Sequence, residues 1–347
     1  MDEVEGHATR RRGRRVLVAA LVIAALLAAL VIVSVLGRES SLPQEAPSAT
    51  ATAPPYTPAP YSVTDSTSLT VPEETRFARG TFWAEAGTTY LVTMDLSSTK
   101  PEGSGGRSMY LGVTLSCSPQ AGGRGISAGG TQNMLTGQGT AYANQGLITV
   151  PEDGAIDCSI KASAPYDDVA SNGATFTIDA TWEATPVHGE AVEASVDQLP
   201  RTVDAGASED VFVTELPLGG AADDVQVLAS AHLTTCTGVN GSREDGRAWC
   251  TMDALDERGS TVEVSVHAEL VDASGAVCAE LSGAATKPDH IDLYRHHRLL
   301  SLDHVSALPS DRCGDLVRIS LTVRNQGPAP VVVHQQNSTL VATDDPR

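Results

Sequence analysis

Apolar and polar positions divide this 347-residue chain into three regimes. Val16 to Leu36 is apolar throughout, with Ser34 its only polar side chain. Glu39 to about Ser66 has no periodicity and holds Pro43, Pro47, Pro54, Pro55, Pro58 and Pro60 among Ser, Thr and Ala. From about Thr67 onward apolar residues recur at every second position, which is the signature of strands with one buried face.

In the third regime, Tyr90, Val92, Met94 and Leu96 share a face. So do Met109, Leu111, Val113, Leu115 and Cys117, then Ile156, Cys158, Ile160 and Ala162, then Phe176, Ile178, Ala180 and Trp182. The Gly/Ser/Gln-rich stretch from Ser118 to Gln145 reads as a long surface loop with at most a short strand. A second block repeats the pattern in Val225–Leu233, Val262–Leu270 and Val317–Val323. No helix longer than a turn or two is expected in these blocks. Many short strands with turn signals between them predict an all-β ectodomain of two β-sandwich modules, residues 67–187 and 196–342. Each is large enough to hold a core.

The first regime predicts an anchor. Twenty-one residues at about 1.5 Å each give roughly 31 Å of helix, enough to cross a hydrocarbon core. Arg10, Arg11, Arg12, Arg14 and Arg15 precede the run, which holds that flank in the cytoplasm. The expected layout is a cytoplasmic tail at 1–15, a single transmembrane helix at 16–36 and an extended Pro/Ser/Thr-rich linker at 37–66, with both modules outside the membrane. A cleavable signal peptide is the rival reading. Its apolar core is usually shorter, about 7–15 residues, and Ser34-Val35-Leu36-Gly37-Arg38 makes a poor cleavage site.

Charge narrows the partners. The chain carries −20, and residues 1–36 carry five Arg against Asp2, Glu3 and Glu5. The rest is therefore left with 18 basic and 40 acidic residues, a net of −22. Such a body is repelled by nucleic acid and anionic lipid, and its natural partners are cationic ligands or basic envelope proteins. Lysine occurs only at Lys100, Lys161 and Lys287, while arginine and alanine are common, and in this the chain resembles actinobacterial cell-surface proteins. The closing VRISLTVRNQGPAPVVV resembles the last hairpin of bacterial immunoglobulin-like domains, and TFWAEAGTTYLVTMDL resembles the opening strands of jelly-roll accessory domains.

All six cysteines lie beyond the apolar run, where an oxidising compartment permits disulfides. None forms a CxxC pair. Cys117 and Cys158 each stand in phase with an apolar strand face, which predicts that they bridge. Nearest-neighbour pairing then gives Cys236–Cys250 and Cys278–Cys313.

Candidate chemistry is sparse. Gly125-Ile126-Ser127-Ala128-Gly129 fits G-x-S-x-G, but the chemistry needs a strand before the serine and a helix after it, and glycines crowd this segment. The densest polar constellation is Asp289-His290-Ile291-Asp292, His296-His297 and Asp303-His304. His290, Asp292, His296 and His304 are the candidate metal ligands, having the right donor types. Along one strand His290 and His304 would stand about 45 Å apart, so only a hairpin between them brings donors together. Trp83 is out of phase with Phe82 and Ala84, and so is a candidate exposed aromatic.

No constellation of nucleophile, acid and base appears and no cofactor motif is present. The expected function is non-enzymatic: a membrane-anchored surface protein for binding or envelope organisation. The competing classes are a wall-associated accessory module or hydrolase acting on glycan or peptide, and a ligand or metal sensor working through a membrane partner.

Overall fold

The computed structural model describes residues 56–99, 108–135, 138–164, 173–220, 222–235, 259–281, 285–292 and 295–345. The expected cytoplasmic tail, membrane helix and most of the linker lie outside the described residues, as do Cys236 and Cys250. The described residues contain strands and no helix, hence none long and apolar enough to cross a membrane.

The first half contributes β1 (Thr57–Pro58), β2 (Tyr61–Thr70), β3 (Glu74–Ala84), β4 (Thr89–Thr99), β5 (Ser108–Pro119), β6 (Ile126–Leu135), β7 (Gly139–Thr149), β8 (Gly154–Ser163) and β9 (Thr175–Pro186). They form two sheets, ordered β1-β3-β8-β5-β6 and β2-β9-β4-β7. All pairs are antiparallel except β1–β3. One core fills this sandwich, with Trp182, Phe82, Met94, Leu111, Leu115 and Ile160 fully enclosed. The period-two faces read from β4, β5, β8 and β9 supply it, because alternate side chains of a strand point to the same side.

A bulge in β3 ties the sandwich together. Ala78 adopts a left-handed φ of 48°. Its N–H donates to Asp65 Oδ2 (2.8 Å) and its carbonyl accepts from Trp182 Nε1 (2.6 Å), which repays a conformation costly for a residue with a Cβ. At Gly80 the backbone runs against Val63, Tyr61 and Trp182, where a Cβ would come within 2.9 Å of all three.

Two expectations are corrected. The linker does not extend to residue 66, since β1 and β2 fall inside it and β2 pairs with β9 along its whole length. Serines and threonines alternate there with Val63, Thr67 and Leu69 on the inner side, and one apolar position in two is too thin a signal beside six prolines. The Ser118–Gln145 stretch is not a surface loop, because β6 and most of β7 occupy it. Its strands bury polar and small side chains, Thr131, Gln132, Thr140, Asn144 and Gln145 among them.

The second half contributes β10 (Ala191–Glu193), β11 (Arg201–Val203), β12 (Ser208–Pro217), β13 (Asp224–Thr235), β14 (Ser260–Val271), β15 (Val277–Glu280), β16 (Thr286–Ile291), β17 (His297–Ala307), β18 (Leu316–Asn325), β19 (Val331–Val333) and β20 (Thr339–Thr343). One sheet runs β10-β20-β13-β19-β11 with β17 on the other edge of β13, and the second runs β12-β18-β14-β15 with β16 also on β14. Val227, Leu233, Val264, Ile319, Leu321 and Val331 sit in the core between them.

Cys117 and Cys158 are directly opposite in the β5–β8 register and form a disulfide facing the first core. Cys278 of β15 is bonded to Cys313, which precedes β18. Residues 54–347 cluster as one compact unit.

Candidate functional site

The outer row of β13 explains why the two sandwiches form one body. Val225, Val227, Ala229, Ala231 and Leu233 face the second core. The alternate row, Gln226, Leu228, Ser230, His232 and Thr234, is buried as well. A strand covered on both faces has a second partner, and here that partner is β7, while β6, the other edge strand of the first sandwich, lies against the neighbouring β17. Unpaired strand edges are aggregation-prone, and covering them removes the hazard.

Buried polar groups are kept when each finds a partner, and most of this seam does. Asn144 Nδ2 donates to the carbonyls of Gly129 and Asn337, and Thr339 Oγ1 donates to Asn144 Oδ1 (2.7 Å). Gln145 Nε2 donates to the Leu228 carbonyl (2.9 Å) and to Thr339 Oγ1 (2.8 Å). Ser230 and Ser301 both donate to the Ala143 carbonyl. Beside this network Leu91, Leu228 and Val341 make a small apolar patch with Leu147 and Val187. Leu299 of β17 goes further and is part of the first core. Glycine at position 130 permits this, because a Cβ there would collide with Tyr142 and Leu299.

At one end of the seam four imidazoles gather. β17 and β19 pair with opposite edges of β13, so His297 at the start of β17, His334 just after β19 and His232 on β13 meet, with His296 beside them. Ring centroids lie 5.3 Å apart for His232–His297, 4.9 Å for His232–His334 and 4.6 Å for His296–His297. The Gln336 carbonyl can only accept, so His232 Nδ1 carries the proton (3.0 Å). His232 Nε2 then accepts from His297 Nδ1 at 3.1 Å. His334 Nε2 pairs with Thr234 Oγ1 at 2.7 Å, and His296 Nδ1 is buried without a hydrogen-bond partner. The first sandwich closes the cluster. The Tyr110 ring stands edge-on to His297 at 5.2 Å, and Asn133 Oδ1 accepts the His297 backbone N–H at 2.6 Å.

Burial first, and the neighbouring imidazoles second, keep these rings neutral. His232 is pushed down to about 3, by enclosure and then by His334. His296 falls to about 4 through burial, and His334 to about 4 through burial and then His296. His297 is driven well below the usual imidazole value by burial, then by His232.

The candidate metal ligands part company. His290 and Asp292 stay together at the end of β16, His290 Nε2 lying 3.9 Å from Asp292 Oδ2, while the other ring nitrogen contacts Thr261 Oγ1 (3.3 Å) and Asp292 accepts the Arg295 N–H. His296 enters the cluster. His304 lies eight residues further along, roughly 26 Å of extended chain away, bonded to Ser306 (3.0 Å). Among the described residues no group of three or more His, Cys, Asp or Glu is arranged to hold a metal ion. Ser127 is the second residue of β6, opposite Ser116 of β5, and strand follows it where an elbow needs a helix. Trp83 is half-buried, level with Pro58 of β1.

A second feature lies on the rim of the seam. A cleft of about 450 Å³ is lined by Asp95, Ser97, Asp179 and Thr181 from the outer face of the first sandwich and by Lys287 and Ser301 from the second. Asp95 pairs with Thr181 and Ser97 with Asp179 across the β4–β9 ladder, so the two carboxylates come from adjacent strands. Both are exposed. Lys287 Nζ is engaged with the Ser301 carbonyl at 3.3 Å.

No family model and no curated protein matches the sequence. Among solved structures, PNGase F of Flavobacterium meningosepticum, a glycosylasparaginase, aligns at 12% identity over 82% of this chain and 96% of its own, with a TM-score of 0.30. The N-terminal CBM22 tandem domain of a Paenibacillus barcinonensis protein aligns at 9% identity over 75% of this chain and 81% of its own, with a TM-score of 0.22. The VP2 subviral particle of infectious bursal disease virus aligns at 10% identity over 82% and 76%, with a TM-score of 0.26. These likenesses bear on neither activity nor ligand.

Proposed function

We propose that the chain is a non-enzymatic, membrane-tethered protein that holds two disulfide-bonded β-sandwiches outside the membrane as one rigid body and binds a cationic ligand at their rim. The observation that carries this reading is the cleft, where Asp95 and Asp179 project beside Ser97, Thr181 and Ser301. Hydroxyls and carboxylates at this density suit a ligand bearing amines together with hydroxyls or amides, such as an amino-sugar polymer or a basic peptide. The net charge of −22 beyond the apolar run steers such a ligand inward, an effect that salt screens. The anchor at 16–36 supplies the address and the prolines before residue 56 the reach.

Calorimetric titration of the detergent-solubilised full chain with a chitosan oligomer and with a polylysine peptide tests this. Saturable binding that weakens with salt, and weakens at least tenfold in Asp95→Asn/Asp179→Asn, is expected. Absence of saturable binding, or binding that the double substitution leaves unchanged, rejects the cleft.

A further inference from the structure

Four of the eight described histidines meet at one end of the seam, drawn from three distant parts of the sequence. Each neutral imidazole has one donor and one acceptor. In the His232–His297 pair those roles are fixed by the Gln336 carbonyl, so a proton added to His232 Nε2 would set two donors against each other at 3.1 Å. Protonation also places like charges about 5 Å apart where little water reaches. A neutral His232 satisfies this hydrogen-bond pattern and a protonated one breaks it.

We propose that this cluster is an acid-sensitive latch, which holds the two sandwiches together while its imidazoles are neutral and releases them when the rings take up protons.

The groups around it offer no counter-charge. From β5 comes Tyr110, from β6 the neutral Asn133 and Thr131, and from β13 Thr234. The turn after β19 offers the Gln336 carbonyl and Asn337. The cations Arg295 and Arg298, which flank His296 and His297 in the sequence, both lean on Asp289, at 3.8 and 2.6 Å. The sign follows from the lowered affinity for protons. A histidine that resists protonation in the closed state contributes its stability fully above pH about 6.5 and loses it as the pH falls toward the values near 4 and 3. Opening takes up protons, so acid drives it. The cores on either side are held by distinct apolar clusters, with Leu299 of β17 the one second-sandwich side chain seated in the first. Release therefore withdraws Leu299 and leaves two sandwiches, each with the rest of its core, joined by the chain and with the cleft taken apart.

The test places one spin label on each sandwich of the full chain, at Glu152→Cys and Val213→Cys, both exposed. Electron–electron distances are measured from pH 7.5 to 4, with tryptophan fluorescence recorded alongside. A single narrow distance at pH 7.5 that broadens and lengthens between pH 6 and 4, while fluorescence from the buried Trp182 is unchanged, supports the latch. Adding His296→Gln/His334→Gln, or His334→Gln alone where the pair fails to fold, should move the transition down by at least half a pH unit. A distance constant to pH 4, a fluorescence change with the same midpoint, or a midpoint the substitutions do not shift overturns it.

Discussion

β9 and β7 flank the same central strand, β4, yet their outer rows live in different surroundings. On β9 the row Thr175, Thr177, Asp179, Thr181 and Glu183 is largely in water, and the hydroxyls of Thr175 and Thr181 contact those of Thr70 and Thr64 on β2. On β7 the row Ala141, Ala143, Gln145 and Leu147 turns to the second sandwich, and Gln145 is buried. Apart from Leu147, both rows lack the residues that mark a core. A row of polar or small residues therefore has two meanings, solvent or a partner that brings matching polar groups, and the second is visible only once the partner is in place.

The largest effect that sharpens this contrast is acid. Below pH about 6.5 each cluster histidine, neutral in the closed state and free to take a proton in the open one, weakens the closed state by about 1.4 kcal/mol per pH unit, so four of them remove roughly 5 kcal/mol between pH 7.5 and 5.5. Urea unfolding of the full chain at both pH values should show that loss, and a quadruple His→Gln chain should lose much less. Equal losses in the two would mean that the acid-sensitive groups lie elsewhere.

Next comes Leu299→Ala, which should cost about 2–5 kcal/mol, the range for emptying a buried leucine site. The loss should appear in Trp182 fluorescence, although residue 299 belongs to the second sandwich. A transition that moves in the second sandwich alone would contradict its place in the first core.

Smallest is the pair that compares the two rows directly. Gln145→Ala leaves the buried carbonyl of Leu228 short of a donor and should cost about 1–3 kcal/mol. Thr177→Ala on the wet row should stay within about 0.5 kcal/mol. Denaturant midpoints at pH 7.5 separate the two, and similar shifts would erase the distinction between the rows.

What the sequence discloses follows the same division. The inner faces of β4, β5, β8, β9, β13, β14 and β18 announce themselves by alternation, since water on one side and core on the other leave no other pattern stable. The pairing of Cys117 with Cys158 is legible for the same reason, as both stand on such faces. β6 and β7 are not legible, because Gly129, Gly130, Asn144 and Gln145 were selected for close approach and hydrogen bonding to the other sandwich, and those demands imitate a loop. Of the four clustered histidines, His296 and His297 draw notice as donors in a polar constellation. His232 is hidden between Ala231 and Leu233, and His334 follows three valines. Only the pairing of β17 and β19 with opposite edges of β13 brings them together.

Leu299 carries one more lesson, about how such a chain is made and how it evolves. It lies well over a hundred residues beyond the last strand of the sandwich whose interior it completes. During synthesis from the N-terminus, the first sandwich emerges with a vacant socket beside Gly130 and stays unfinished until most of its neighbour has followed. Neither half is an interchangeable cassette. A recombination event that paired the first half with a foreign second half would leave a hole in the first, and a duplication of either would strand a leucine or a socket. The two halves are bound to be inherited together.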